Sequence, residues 1–156
     1  MELNSTIIGL VIFVLFFGPI IYAIVQSASK EKRIAKTIKN LSKPQGINIT
    51  NLEVIGNAVI GIDEVSKKLV ISNTRDLEGN FEVIDITKLK ECRTKSQRLK
   101  NKIVEFVELE LVGDNFVKDI IFYTENEEDT PVTDSATCLH QAEIWEKTIN
   151  SQLRVA

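Results

Sequence analysis

The sequence predicts an α+β protein: an N-terminal transmembrane helix, then an antiparallel β-barrel or sandwich capped by a C-terminal α-helix. Three features predict it. Residues 7–25, IIGLVIFVLFFGPIIYAIV, contain no charged side chain. Beyond residue 46, short runs alternate apolar and polar residues with a period of two, as strands with one buried face do. The C-terminal segment instead repeats its apolar residues every three or four positions, the period of a helix with one buried face.

At 1.5 Å rise per residue, about 20 helical residues cross the roughly 30 Å hydrocarbon core of a bilayer, so residues 7–25 suffice for one crossing. Gly9, Gly18 and Pro19 are compatible with this, because membrane helices tolerate such residues where neighbouring groups compensate. Pro19 is expected to add a mild kink. The alternatives are a buried soluble helix, which has no need of so long a charge-free run, and a cleaved signal peptide. The latter needs a basic leading region, whereas MELNST offers only the terminal amine, offset by Glu2.

Orientation follows from Lys30, Lys32, Arg33, Lys36, Lys39 and Lys43, which face Glu31 alone among acidic neighbours. Lys and Arg within about 15–20 residues of a membrane helix are retained on the cytoplasmic side. The expected organisation is therefore a head and transmembrane helix at 1–27, a basic juxtamembrane linker helix at 28–45 and a cytoplasmic domain at 46–156. The chain would pass once through the inner membrane. Ile34, Ile38 and Leu41 share a helical face, so the linker either continues the membrane helix or lies along the anionic leaflet. Its charges either set topology alone or also hold lipid, at about 1 kcal/mol per basic residue near the surface.

Residues 46–156 carry 13 Lys and Arg against 20 Asp and Glu, a net charge of −7. Such a domain is large enough for its own core. Its acidity disfavours nucleic acid, whose binding depends on neutralising phosphates. Cys92 and Cys138 are too few for a disulfide framework and read as free thiols.

The first strands are expected in 52–63 and 67–73, joined as a hairpin through EVS, and the next at 81–86 after the turn residues Glu78, Gly79 and Asn80. Residues 87–93 form a short strand with Leu89 and Cys92 inward. The clearest alternation sets Ile103, Glu105, Val107, Leu109 and Leu111 on one face and Val104, Phe106, Glu108, Glu110 and Val112 on the other. Gly113, Asp114 and Asn115 turn the chain into a partner strand at 116–123. The ENEED run at 125–129 is an acidic loop without the ligand spacing and glycine of a helix-loop-helix calcium site. Pro131 precedes the last helix, with Asp134 or Ser135 as its cap. Cys138, Ala142, Trp145, Ile149 and Leu153 form that helix's apolar stripe. Trp145 is its structural anchor, and truncation of such a core aromatic costs about 3–5 kcal/mol.

NAVIGIDEVSKKLVIS near the first hairpin, FEVIDITKLKECR after it and AEIWEKTI in the last helix together resemble the bacterial pleckstrin-homology-like (PH-like) domains. The resemblance runs over about 105 residues. It implies a PH-like barrel or sandwich, a scaffold for peptide, protein or phospholipid contacts, and no catalysis or cofactor. Lipid-binding members place basic residues around the loop joining the first two strands. That position holds Lys67 and Lys68 beside Asp63 and Glu64, which argues against a phosphoinositide-type pocket.

A second basic segment holds Lys88, Lys90, Arg93, Lys95, Arg98, Lys100 and Lys102, interrupted by Glu91. It reads as a loop projecting several charges together, either for solubility alone or to meet an acidic partner or a phosphate headgroup. An enzyme has little basis. His140 is the lone histidine, Cys138 lies two positions from it on another side of the helix, and Gly56 and Gly61 lack the ending of a phosphate loop. The expected function is a membrane-tethered, non-enzymatic scaffold that recruits a protein partner. The alternatives are an anionic-lipid-binding module and a structural subunit assembled through its transmembrane helix.

Overall fold

The computed structural model describes residues 2–98, 104–125 and 133–154, with side chains at all of these except 2–6, 27 and 28. Helix α1, Glu2–Ser42, runs without interruption through Pro19 and through the basic segment. Of the two dispositions expected for residues 28–45, the helix simply continues. Its apolar part is exposed, with Leu15 at 68% and Phe16 at 72%. Among the described residues this is the one helix long and apolar enough to cross a membrane. The helix gives way to a 3₁₀ turn, Lys43–Gln45, because Pro44 disfavours helical backbone before it and Gly46 takes up a left-handed φ of 69°.

The chain divides into two compact units, Met1–Lys36 and Thr37–Ala156. The division falls inside the expected linker, since Ile38 and Ser42 at the end of α1 are fully buried within the second unit. Ser42 Oγ donates to Ile38 O at 2.8 Å, which satisfies its hydroxyl there.

The second unit contains two antiparallel sheets and a C-terminal helix. Strands β1 (Asn51–Ile55), β2 (Ala58–Asp63), β3 (Lys68–Asn73) and β4 (Glu82–Asp85) form the first sheet in sequence order. After the 3₁₀ turn Ile86–Lys88, strands β5 (Leu89–Arg98), β6 (Val104–Gly113) and β7 (Val117–Thr124) form the second. Helix α2 spans Ser135–Arg154. Of the barrel or sandwich expected, a closed barrel does not form: among the described residues no ladder joins the two antiparallel sheets. Asp85 helps to separate them, because its carboxylate accepts from Thr87 N and starts the turn that ends the first sheet.

The run 52–63 is two strands, not one, divided by the two-residue turn Gly56-Asn57. Gly56 has φ 58°, as the first position of a tight hairpin requires. It also lies so close to β7 that a Cβ there would sit 2.0 Å from the Phe122 carbonyl oxygen. The two sheets therefore meet at a glycine.

The core includes Ile60, Ile62 and Leu69 from the first sheet, Val107, Leu109, Leu111 and Phe122 from the second, and Cys138, Ala142, Trp145 and Ile149 from α2. This is the predicted helical stripe, with Leu153 packed against its edge. Asp134 caps α2, accepting from Ala136 N at 2.7 Å and Thr137 N at 3.0 Å. Leu89 and Cys92 are both inward as expected, although residues three apart in a regular strand face opposite ways. A register shift at Lys90 reconciles them. A second irregularity, opposite Gln97 and Arg98, corrects the expected placement of Val104, which joins Val107 in the core instead of facing away from it. Ile103, residues 126–129 of the acidic run and Pro131 lie outside the described residues.

Candidate functional site

Of the basic residues expected to form one loop, Lys90, Arg93, Lys95 and Arg98 belong instead to strand β5, whose period of two divides them between its faces, and Lys88 ends the preceding 3₁₀ turn. Arg93 and Lys95 project to the outer face of the second sheet. There Arg93 lies opposite Glu110 and Lys95 opposite Glu108 in register, and Glu110 lies opposite Asp119. Arg93 Nε and Lys95 Nζ both bond to the Glu110 carboxylate, and Lys95 is also 3.8 Å from Glu108. The hydrogen bond from Lys95, then that from Arg93, holds Glu110 below its ordinary pKa, while the bonds to Glu110 raise both bases. Burial, followed by repulsion from Asp119, raises Glu108. With Glu91 on the same face, carboxylates outnumber the two bases, so this surface is not a free positive patch. Lys90, at the bulge, pairs with Asp114 at 2.9 Å.

Arg98 lies on the other face. With Thr94 and Ser96 it lines an open groove of about 570 Å³ whose far wall is α2, through Leu139, Glu143, Glu146 and Lys147. Lys100 and Lys102 lie outside the described residues. Lys30, Lys32, Arg33, Lys36 and Lys39 are exposed along α1. Trp145 is buried at the centre of the α2 stripe, where its Nε1 donates to Glu53 Oε2 at 2.9 Å and so satisfies the indole inside the core.

The connector that carries Lys67, with Lys68 opening the strand after it, joins β2 to β3, not the first two strands, because the Gly56-Asn57 turn inserts an earlier hairpin. Both lysines are engaged. Lys68 bonds to Asp85 at 2.7 Å and Lys67 to Gln152 on α2. The hydrogen bond from Lys68, then that from Thr87, brings Asp85 down to about 2.

The groove borders a sheet edge. Among the described residues β5 is the outermost strand of its sheet, and the backbone groups it turns away from β6 face no strand partner there. Cys92 N donates to Asn150 Oδ1 at 3.2 Å, and Asn150 Nδ2 donates back to Cys92 O at 2.7 Å. Thr94 N donates to Glu146 Oε2 at 2.7 Å. Every second residue of a strand points its N–H and C=O to the same side, so Ser96 and Arg98 continue this edge. Among the described residues no α2 side chain closes it there. The structure thus offers two open edge positions beside a groove with an apolar contact, Leu139, and charges of both signs.

Sequence reasoning missed Glu146 and Asn150. Their signal was their position, four apart and each one residue beyond the stripe members Trp145 and Ile149, which puts them on the flank of the buried face. Both cysteines are free and buried. Burial, then Glu146 and Glu91, pushes the Cys92 thiol up to about 12, and burial also raises Cys138. Comparison of the chain with protein-family models, with curated proteins and with solved structures gives no match.

Proposed function

We propose that this chain is a single-pass, non-enzymatic adaptor of the inner membrane whose cytoplasmic domain, PH-like in design, captures an extended segment of a protein partner. The observation that carries the reading is the open edge of β5 at Ser96 and Arg98 beside the α2 groove. An extended peptide adds to such an edge through main-chain hydrogen bonds, and the adjoining groove reads its side chains. The charge-free exposed part of α1 supports anchoring, because hydrocarbon stabilises such side chains where water does not. The basic residues that follow support a cytoplasmic domain. The order of a four-stranded sheet, a three-stranded sheet and a C-terminal helix with a buried tryptophan supports the PH-like resemblance. The pairing of Arg93 and Lys95 with Glu110 favours a peptide over a phosphate headgroup, since their charge is already offset.

The test is recovery of partners by the intact protein from membranes in mild detergent. Ser96→Pro removes an edge-facing N–H without removing a bond to β6, so the fold should persist and specific partners should be lost. Joint Arg93→Glu and Lys95→Glu reversal should leave recovery unchanged. The opposite pattern, with Ser96→Pro neutral and the reversal abolishing recovery, overturns the edge reading in favour of charge recognition.

A further inference from the structure

Helix α2 buries the core with one face, and with its polar flank it reproduces the hydrogen bonds of a missing strand. The Asn150 carboxamide accepts from Cys92 N and donates to Cys92 O, the two-way exchange that a residue of an antiparallel neighbour would make at that position. One helical turn earlier, Glu146 accepts from Thr94 N, the next edge-facing donor along β5. The two side chains are four residues apart on α2 and occupy donors two residues apart on β5. Helix and strand thus run past one another with matched spacing only over this stretch.

We propose that Asn150 and Glu146 form a register stop: they fill the first two edge positions of β5 and confine an added strand to the Thr94 carbonyl, Ser96 and Arg98. This rests on the peptide-capturing reading above and adds to it the identity of the specificity-setting residues. The partner is then a short extended segment that pairs over a few residues. One of its side chains lies against Leu139, and its flanking groups meet Arg98 and Lys147 on one side and Glu143 and Glu146 on the other. Because the stop at Thr94 is a side chain, its removal should free Thr94 N and let the same peptide slide by two residues, from Ser96 to Thr94, while Cys92 stays buried beneath α2.

The experiment uses the full-length chain in lipid nanodiscs and a displayed library of random dodecapeptides, with selected peptides mapped by photo-crosslinking and by truncation. Wild-type protein should select peptides that crosslink around Ser96 and Arg98 and that shorten to a few residues without loss. In Asn150→Ala/Glu146→Ala the crosslinks should move to Thr94, and longer peptides should bind about tenfold more tightly through the added main-chain bonds. Glu146→Gln, whose amide oxygen still accepts from Thr94 N, should leave the crosslinks in place, Asn150→Asp, which loses the bond to Cys92 O, should give a partial shift, and amide exchange at Trp145 and Ile149 verifies packing in every variant. Peptides that bind with unmoved crosslinks in Asn150→Ala/Glu146→Ala overturn the stop while leaving the adaptor reading intact. Failure to select any peptide sensitive to Ser96→Pro overturns both.

Discussion

Gly56 is the residue on which the junction of the two sheets is most sensitive. A side chain there would need both a left-handed backbone and space already taken by the Phe122 carbonyl. Gly56→Ala should therefore destabilise the domain by about 2–4 kcal/mol, the sum of backbone strain and overpacking, measured by chemical denaturation. Asp63 makes the opposite kind of contribution, through charge. Burial alone would raise its pKa, but bonds from Ser66, Asn48 and Val65 more than offset this and hold it low. Asp85 falls from an ordinary 3.8 to about 2. Both groups release their protons more readily when folded, so their stabilisation is complete above the unfolded pKa and is lost as pH falls through the folded one. Melting temperature should hold steady down to about pH 4 and then drop towards about pH 2. Asp63→Asn and Asp85→Asn should each flatten that drop, and an unchanged profile would contradict the assignment.

At the scale of elements, α2 acts through Trp145. Trp145→Ala should cost about 3–5 kcal/mol by denaturant unfolding. Trp145→Phe should cost less, although it strands the Glu53 carboxylate that accepts from the indole. The strip of α2 that meets the core was legible in the sequence because a period of three to four over twenty residues is hard to mistake. The centre of β6 was legible for the same reason at period two. What escaped were departures from period: the bulges that bring Leu89 and Cys92, and Val104 and Val107, to one side of their strands. The Gly56-Asn57 turn was written in plain residue types, yet apolar runs on both sides made one strand of two. The basic cluster misled for a deeper reason. Nearness along the chain grouped Arg93, Lys95 and Arg98, whereas alternation separates the third from the first two, and the carboxylates that pair with Arg93 and Lys95 come from the neighbouring strand. The Asn150 clasp on Cys92, 58 residues away, is likewise a property of tertiary structure that no local pattern announces.

For the molecule as a whole, the proposed reading assigns anchoring and recognition to the two separate units. Deleting residues 7–25 should release the protein from the membrane fraction while Thr37–Ala156 keeps its secondary structure by circular dichroism. The intact chain should resist alkaline carbonate extraction. If recognition is through main-chain bonds, partner recovery should change by less than about twofold between 0.1 and 0.5 M salt, because screening acts on exposed charges and not on backbone pairing. A steep loss over that range would point to ionic contacts.

The short open stretch of β5 has a bearing on proteins that share a bilayer. On the anchored reading proposed above, copies would diffuse in two dimensions and collide often, and a long bare strand on each would template end-to-end polymerisation. Here Asn150 and Glu146 blunt the first half of the strand, and the cation of Arg98 on each copy discourages like meeting like over the remainder. On that reading the edge would stay available to a guest strand while giving neighbouring copies little to pair with.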